Sequence, residues 1–192
     1  MTFSFHFRSP ACALVLCATL AFAASPAHAR KPAPAAAAHA SLAVAAAAAP
    51  MWAGDAQLVY LENDEVVDAD GAAPRWSYLY YSPSLDASRV YSVRNGRIVV
   101  AETLDMMFAA PPLSAAWLDS HEALAIAEKH GGETFRRESG AHVAHMLLAR
   151  GTFQPGQADL TTWTIVYEAS GAPSLFVVVD AADGHVCRTW RG

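Results

Sequence analysis

The sequence predicts an α+β fold: an antiparallel sheet of about eight short strands from two β-rich half-repeats, with a helix at about 120–130 packed on one face. Three observations point to it. Short apolar, β-branched and aromatic runs recur between clusters of Gly, Pro, Asn, Asp and Ser. One segment alone carries both a helix start and a helix stop. Two stretches also echo each other. Trp76 and Trp163 each open a strand and have Tyr four residues on, at Tyr80 and Tyr167. A second strand then leads to a turn glycine, Gly96 or Gly184, 20 or 21 residues after the Trp.

The strands are expected at 57–61, 76–81, 89–93 and 97–102, then at 142–150, 161–168, 174–180 and 185–190. Asn95-Gly96 between two β-rich runs is a hairpin signal, because both central positions of a type I′ turn need positive φ. The stretch 106–118, with Pro111-Pro112, reads as a connector. The helix follows. Asp119 can cap it, Glu122 stands three residues on as in a capping box, and Gly131-Gly132 is placed to end it.

Residues 1–29 read as a secretory signal: Arg8 near the start, a 14-residue uncharged run over 11–24, and Ser25-Pro26-Ala27-His28-Ala29 as an A-x-A site. A spanning helix needs about 20 apolar residues, so no membrane span is expected after cleavage. Residues 30–50 read as an Ala/Pro-rich mobile leader, because Ala offers little area to hold a helix on a core. A helix is the alternative, since the same Ala run has high helix propensity. The remaining divisions are a first β-rich half at 51–105, the connector 106–118, and a second half at 119–192.

Cleavage after Ala29 would remove Arg8 from the 13 basic residues, leaving 12 against 18 acidic ones, net −6. That composition argues against nucleic acid as a partner. It would also leave Cys187 as the sole cysteine, either half-buried on a strand or free to link two chains as a dimer. On regular alternation, Cys187 would share a face with His185 and Thr189, opposite Val186 and Trp190.

The second half resembles a PepSY-like domain over about 118–190. The resemblance lies in Glu122-Ala123-Leu124-Ala125-Ile126-Ala127, the Gly131-Gly132 stop, Trp163-x-x-x-Tyr167, and Val177-Val178-Val179-Asp180-Ala181-x-x-Gly184-x-Val186, with Asp183 where the family pattern has Thr. The first half matches in its Trp–Tyr–Gly skeleton, as a degenerate copy would. The resemblance implies a secreted or membrane-linked module. Tandem copies would form a continuous sheet with helices on one face, as in the β-lactamase-inhibitor-protein arrangement. It implies no catalytic residues and no cofactor. Some such domains are suggested to inhibit or regulate peptidases.

Chemistry-bearing motifs are sparse. His142-x-x-His145 would share a face on a helix, but on a regular strand three residues apart means opposite faces. With His185 these are the metal candidates. Asp64, Asp68 and Asp70 form an acidic loop, but Val66 stands where an EF-hand needs an oxygen ligand. The loop reads as solvated, with a weak cation site or a contact for a basic partner as alternatives. Trp76, Tyr78 and Tyr80 should face one side of the sheet, Leu79 and Tyr81 the other. Core packing accounts for that aromatic set, and an exposed protein-binding face is the alternative, with Tyr78, Tyr80 and Tyr81 as its candidates. No nucleophile elbow, zinc-protease helix or phosphate loop occurs.

The function these features indicate is a secreted, periplasmic, non-catalytic binding protein, not an enzyme. It would hold a protein partner such as a peptidase or another envelope protein. A small-ligand or metal-binding envelope protein is the alternative, and a hydrolase with an unrecognised site the third reading.

Overall fold

A computed structural model describes residues 34–105, 110–152 and 158–192. The signal segment 1–29, part of the connector at 106–109, and the turn residues 154–157 lie outside the described residues. The strands are β1 (Gln57–Asn63), β2 (Arg75–Ser82), β3 (Ala87–Arg94), β4 (Arg97–Leu104), β5 (His142–Gly151), β6 (Leu160–Ala169), β7 (Ala172–Asp180) and β8 (Val186–Arg191). They form one eight-stranded sheet in the order β4-β3-β2-β1-β5-β6-β7-β8, with every neighbouring pair antiparallel. Each set of four strands is therefore a meander running outward from the central β1–β5 pair, so β4 and β8 are the edges. Asn95 (φ 53°) and Gly96 (φ 66°) supply the positive dihedrals of the β3–β4 turn.

One face of the sheet is covered by helices. Trp76, Tyr78 and Tyr80 on β2 and Trp163, Ile165 and Tyr167 on β6 point into that core, as even spacing requires. Helix α2 (Ser120–Ala127) buries Ala123, Leu124 and Ala127 against it. The chain does not stop at Gly131-Gly132. It kinks there, with Gly131 at φ 114°, and continues as α3 (Glu133–Ser139), which buries Phe135. A left-handed residue that ends one helix can equally join two, and Arg136 then reaches back to Glu128 across the kink at 2.6 Å.

The larger correction concerns the segment read as a mobile leader. Residues Ala38–Trp52 form α1, a 15-residue helix. Its buried stripe is Ala38, Ser41, Ala45 and Ala49, at helical spacing. Small side chains let this helix lie close on the sheet, and the apolar volume comes from the strands beneath. The Tyr78 hydroxyl donates to the Ala38 carbonyl at 2.6 Å, and Tyr91 packs in the same cluster. The area argument looked for bulk on the helix, where only an Ala stripe was needed.

Candidate functional site

Two places in the fold concentrate polar chemistry. The first is the meeting point of α1 and α2, and its work is structural. Trp76 Nε1 donates to the Ala36 carbonyl at 2.8 Å, and Trp163 Nε1 donates to the Leu118 carbonyl at 2.7 Å. Each indole thus anchors the backbone two residues before a helix begins. The two rings meet edge to face, 6.1 Å between centroids. Asp119 caps α2 in a complete capping box with Glu122. The same carboxylate also accepts the His39 amide of α1 at 3.0 Å, while Ser120 Oγ accepts the Ala38 amide at 3.1 Å. The ring nitrogens of His39 and His121 stand 3.5 and 3.8 Å from Asp119 Oδ2. One buried carboxylate therefore answers the positive ends of two helix dipoles.

The acidic loop serves this junction too. Asp68 Oδ1 accepts the amides of Asp70 and Ala72, folding the loop on itself. The loop then turns at Gly71, where φ is +77° and a Cβ would stand 2.8 Å from the His121 Cα. Asp64 accepts from Ser77 Oγ and pairs with Arg75 at 2.8 Å, and Glu65 pairs with Arg94. Asp64 and Asp68 are thus engaged within the protein, and no group of three or more His, Cys, Asp or Glu among the described residues is arranged for a metal.

The second place is the sheet face opposite the helices. Register assigns it Tyr60, Glu62, Leu79, Val90, Glu102 and Leu104 from the first half, and Leu147, Thr164, Val166, Phe176, Arg188 and Trp190 from the second. Over the first half lies a cleft of about 260 Å³ lined by Tyr60, Glu62, Ser77, Leu79, Val90 and Leu104. The Tyr60 hydroxyl donates to Glu62 Oε2 at 2.7 Å, and burial, reinforced by that carboxylate, pushes the phenol well above its ordinary pKa. Over the second half, Phe176 stacks on Trp190 at 4.8 Å, and the Arg188 guanidinium sits 4.9 Å above the same indole.

The residues singled out from sequence fare unequally. Tyr78 and Tyr80 lie in the core beneath α1, 0 % and 5 % exposed, so they cannot form an exposed binding face. Burial pushes the Tyr80 phenol up to about 12 and raises that of Tyr78 further. Tyr81 lies half-buried on the helix-free side and donates to Asp86 at 2.7 Å. Asp70 is exposed at the loop tip.

His142 and His145 are exposed, and they share a face, contrary to the alternation argument. A bulge at Ala144 sets His142 opposite Glu168 and His145 opposite Val166, both on the helix-free side. Asn63 holds this bulge: its Oδ1 accepts the Met146 amide at 2.6 Å and its Nδ2 donates to the Ala144 carbonyl at 3.0 Å. His185 is exposed on the turn before β8. A second bulge, at Cys187, puts Val186 on the core side and Trp190 on the other, so the expected pairing of those two residues fails for the same reason. Cys187 is half-buried, and burial, followed by the nearby Asp180 charge, raises its thiol pKa. That keeps it in the less reactive protonated form.

Sequence reasoning missed the cleft. The alternation of Tyr60, Glu62 and Asp64 against Leu61 and Asn63 was the available signal, but those residues converge with Val90 and Leu104 only through the β1–β2–β3–β4 register.

The fold defines a class: a continuous antiparallel sheet with helices on one face and, among the described residues, no helix on the other. No protein-family model matches the chain, and no curated protein does. Among solved structures, the chain is similar to one described as a putative lipoprotein from Clostridium difficile 630, at 14 % identity and a TM-score of 0.54. The match covers 77 % of this chain and 90 % of that one. At that identity the likeness concerns the fold alone. No helix among the described residues is long and apolar enough to cross a membrane.

Proposed function

We propose that this chain is a secreted envelope protein of the PepSY-like kind, periplasmic and non-catalytic, that binds a protein partner through the helix-free face of its sheet. The observation that carries this reading is the one-sided layering. Eight strands present half-buried Leu79, Leu147, Phe176 and Trp190 on a face over which none of the three described helices lies. A broad face with aromatic and Arg anchors has the composition of a protein interface. The signal-like segment 1–29 and the lipoprotein description of the structural neighbour both support an envelope location. The parallel order of helix and four-strand meander in the two halves, with Trp76 and Trp163 in like roles, supports reading them as two copies of one module. A peptidase is the partner class that the resemblance suggests.

The test is photo-cross-linking in envelope extract, with a benzophenone side chain at Thr164 on the helix-free face or at Lys129 on the helical side. One discrete adduct from Thr164 and none from Lys129 is the expected result. Adducts from Lys129 alone, or from neither position, would remove the reading.

A second reading follows from the bulge at Ala144, which brings His142 and His145 onto one face with Glu168 beside them. In this reading the pair takes up zinc or copper once a partner or substrate supplies further ligands. Metal analysis of untagged protein, with and without His142→Ala, decides it: retention that the substitution does not change ends this reading.

A further inference from the structure

The proposed docking face can be given a chemical preference. We infer that the 260 Å³ cleft over β1–β4 receives a lysine side chain of the partner protein, its methylene stem against Leu79, Val90 and Leu104 and its ammonium on Glu62. This rests on the reading of the helix-free face as a docking surface.

Charge complementarity carries the assignment. Among the described residues, Glu62 is the one charged residue of the lining. Glu102, opposite Val90 in the β3–β4 register, adds a second exposed carboxylate on the same face. Arg75 and Arg94 on that side do not offset these charges, because Arg75 is held by Asp64 and Arg94 by Glu65. The cleft therefore joins an apolar floor to an acidic wall. That pairing fits a long side chain with an alkyl stem and a cationic tip, which buries the stem and keeps the tip at the polar rim.

Lysine is preferred over arginine by the state of the carboxylate. The Tyr60 hydroxyl already donates to Glu62 Oε2 at 2.7 Å. A guanidinium binds best when it takes both oxygens of a carboxylate in a planar fork. An ammonium is a compact point donor and is satisfied by Oε1 alone.

The experiment uses isotopically labelled protein of residues 30–192 and three acetylated, amidated pentapeptides, Gly-Gly-X-Gly-Gly with X as lysine, arginine or norleucine. Amide shifts at Tyr60, Glu62, Leu79, Val90 and Leu104 report the cleft; shifts at Leu147, Thr164, Val166 and Trp190 report the rest of the face. The lysine peptide should move the cleft signals and bind about fivefold more tightly than either of the others, as one partly exposed ion pair allows. Glu62→Gln should abolish that preference, bringing the lysine peptide down to the affinity of the norleucine peptide. Equal binding of all three peptides, an unchanged preference in Glu62→Gln, or no shift in the cleft would overturn the lysine assignment. Lysine-peptide shifts confined to the second half of the face would overturn it while leaving the docking surface standing. Silence across the whole face together with failure of the Thr164 cross-link would remove both.

Discussion

The two halves of the sheet share an order of elements but not a source of stability. In the second half, α2 carries its own start signal: Asp119 and Glu122 close a capping box within four residues. In the first half, α1 begins at Ala38 with Ala37 before it and no side-chain cap of its own. Its first amides are satisfied by Asp119 and Ser120, 80 and 82 residues away. One half is locally specified; the other is completed by its neighbour. A helix with no readable cap and no bulky face can still be well held when both are supplied from elsewhere in the fold.

The largest effect expected from breaking this asymmetry is at Asp119. Asp119→Ala should cost about 2–4 kcal/mol, since a cap is worth about 1 and occasionally 2, and this one serves two helices. Hydrogen exchange should show α1 losing protection along with α2. Glu122→Ala, which touches only the α2 box, should leave α1 protected. If α1 is indifferent to Asp119→Ala, the halves are not coupled in the way described.

Next comes the seam between the halves. Direct β1–β5 register pairing spans Tyr60–Glu62 opposite Ala149–Leu147, and Asn63 extends it through the bulge. Asn63→Ala should cost about 2–3 kcal/mol by stranding a buried amide and carbonyl, read as a lowered denaturant midpoint. Its sharper signature is a loss of exchange protection at Met146.

The indole anchors offer a matched pair. Trp76→Phe and Trp163→Phe each remove one Nε1–H bond to the backbone before a helix, and each should cost about 1–2 kcal/mol, part for the bond and part for lost packing. Near-equal losses in thermal unfolding would strengthen the equivalence of the halves, and a several-fold difference would weaken it.

The smallest effect is alkaline. Burial raises the phenols of Tyr60, Tyr78 and Tyr80 in the first half, and of Tyr167 in the second. In each, the folded state holds its proton above the unfolded value of about 10. The resulting stability is full below that pH and is lost progressively as pH rises toward the folded values. Exchange measured from pH 9 to 12 should show first-half strands opening before second-half strands, and Tyr80→Phe should narrow the gap.

Much of the sheet was legible because strands announce themselves locally. Alternation in Trp76–Ser77–Tyr78–Leu79–Tyr80 assigned both faces correctly, and Asn95-Gly96 located a turn by its dihedral demand. What escaped were features whose cause lies elsewhere in the chain. Helix α1 needed the aromatic residues of β2 and β3 to be seen as its counterpart. The faces of His142 and His145, and of Val186 and Trp190, depended on one extra residue at Ala144 and at Cys187, and a period of two has no memory of such an insertion. The cleft required the register of four strands before Tyr60 and Leu104 could be placed on one wall.

The shared carboxylate also orders events in time. No fragment that ends before Ser120 contains the groups that complete α1, however favourable its alanines are for helix. As the chain is made or refolds, the N-terminal helix must wait for the middle of the sequence, and a loop of about 80 residues closes when it docks. Such late, long-range closure slows folding. A chain truncated at 118 should have its strands without its helix, and the sheet face that α1 covers would lie open until the rest of the protein arrives.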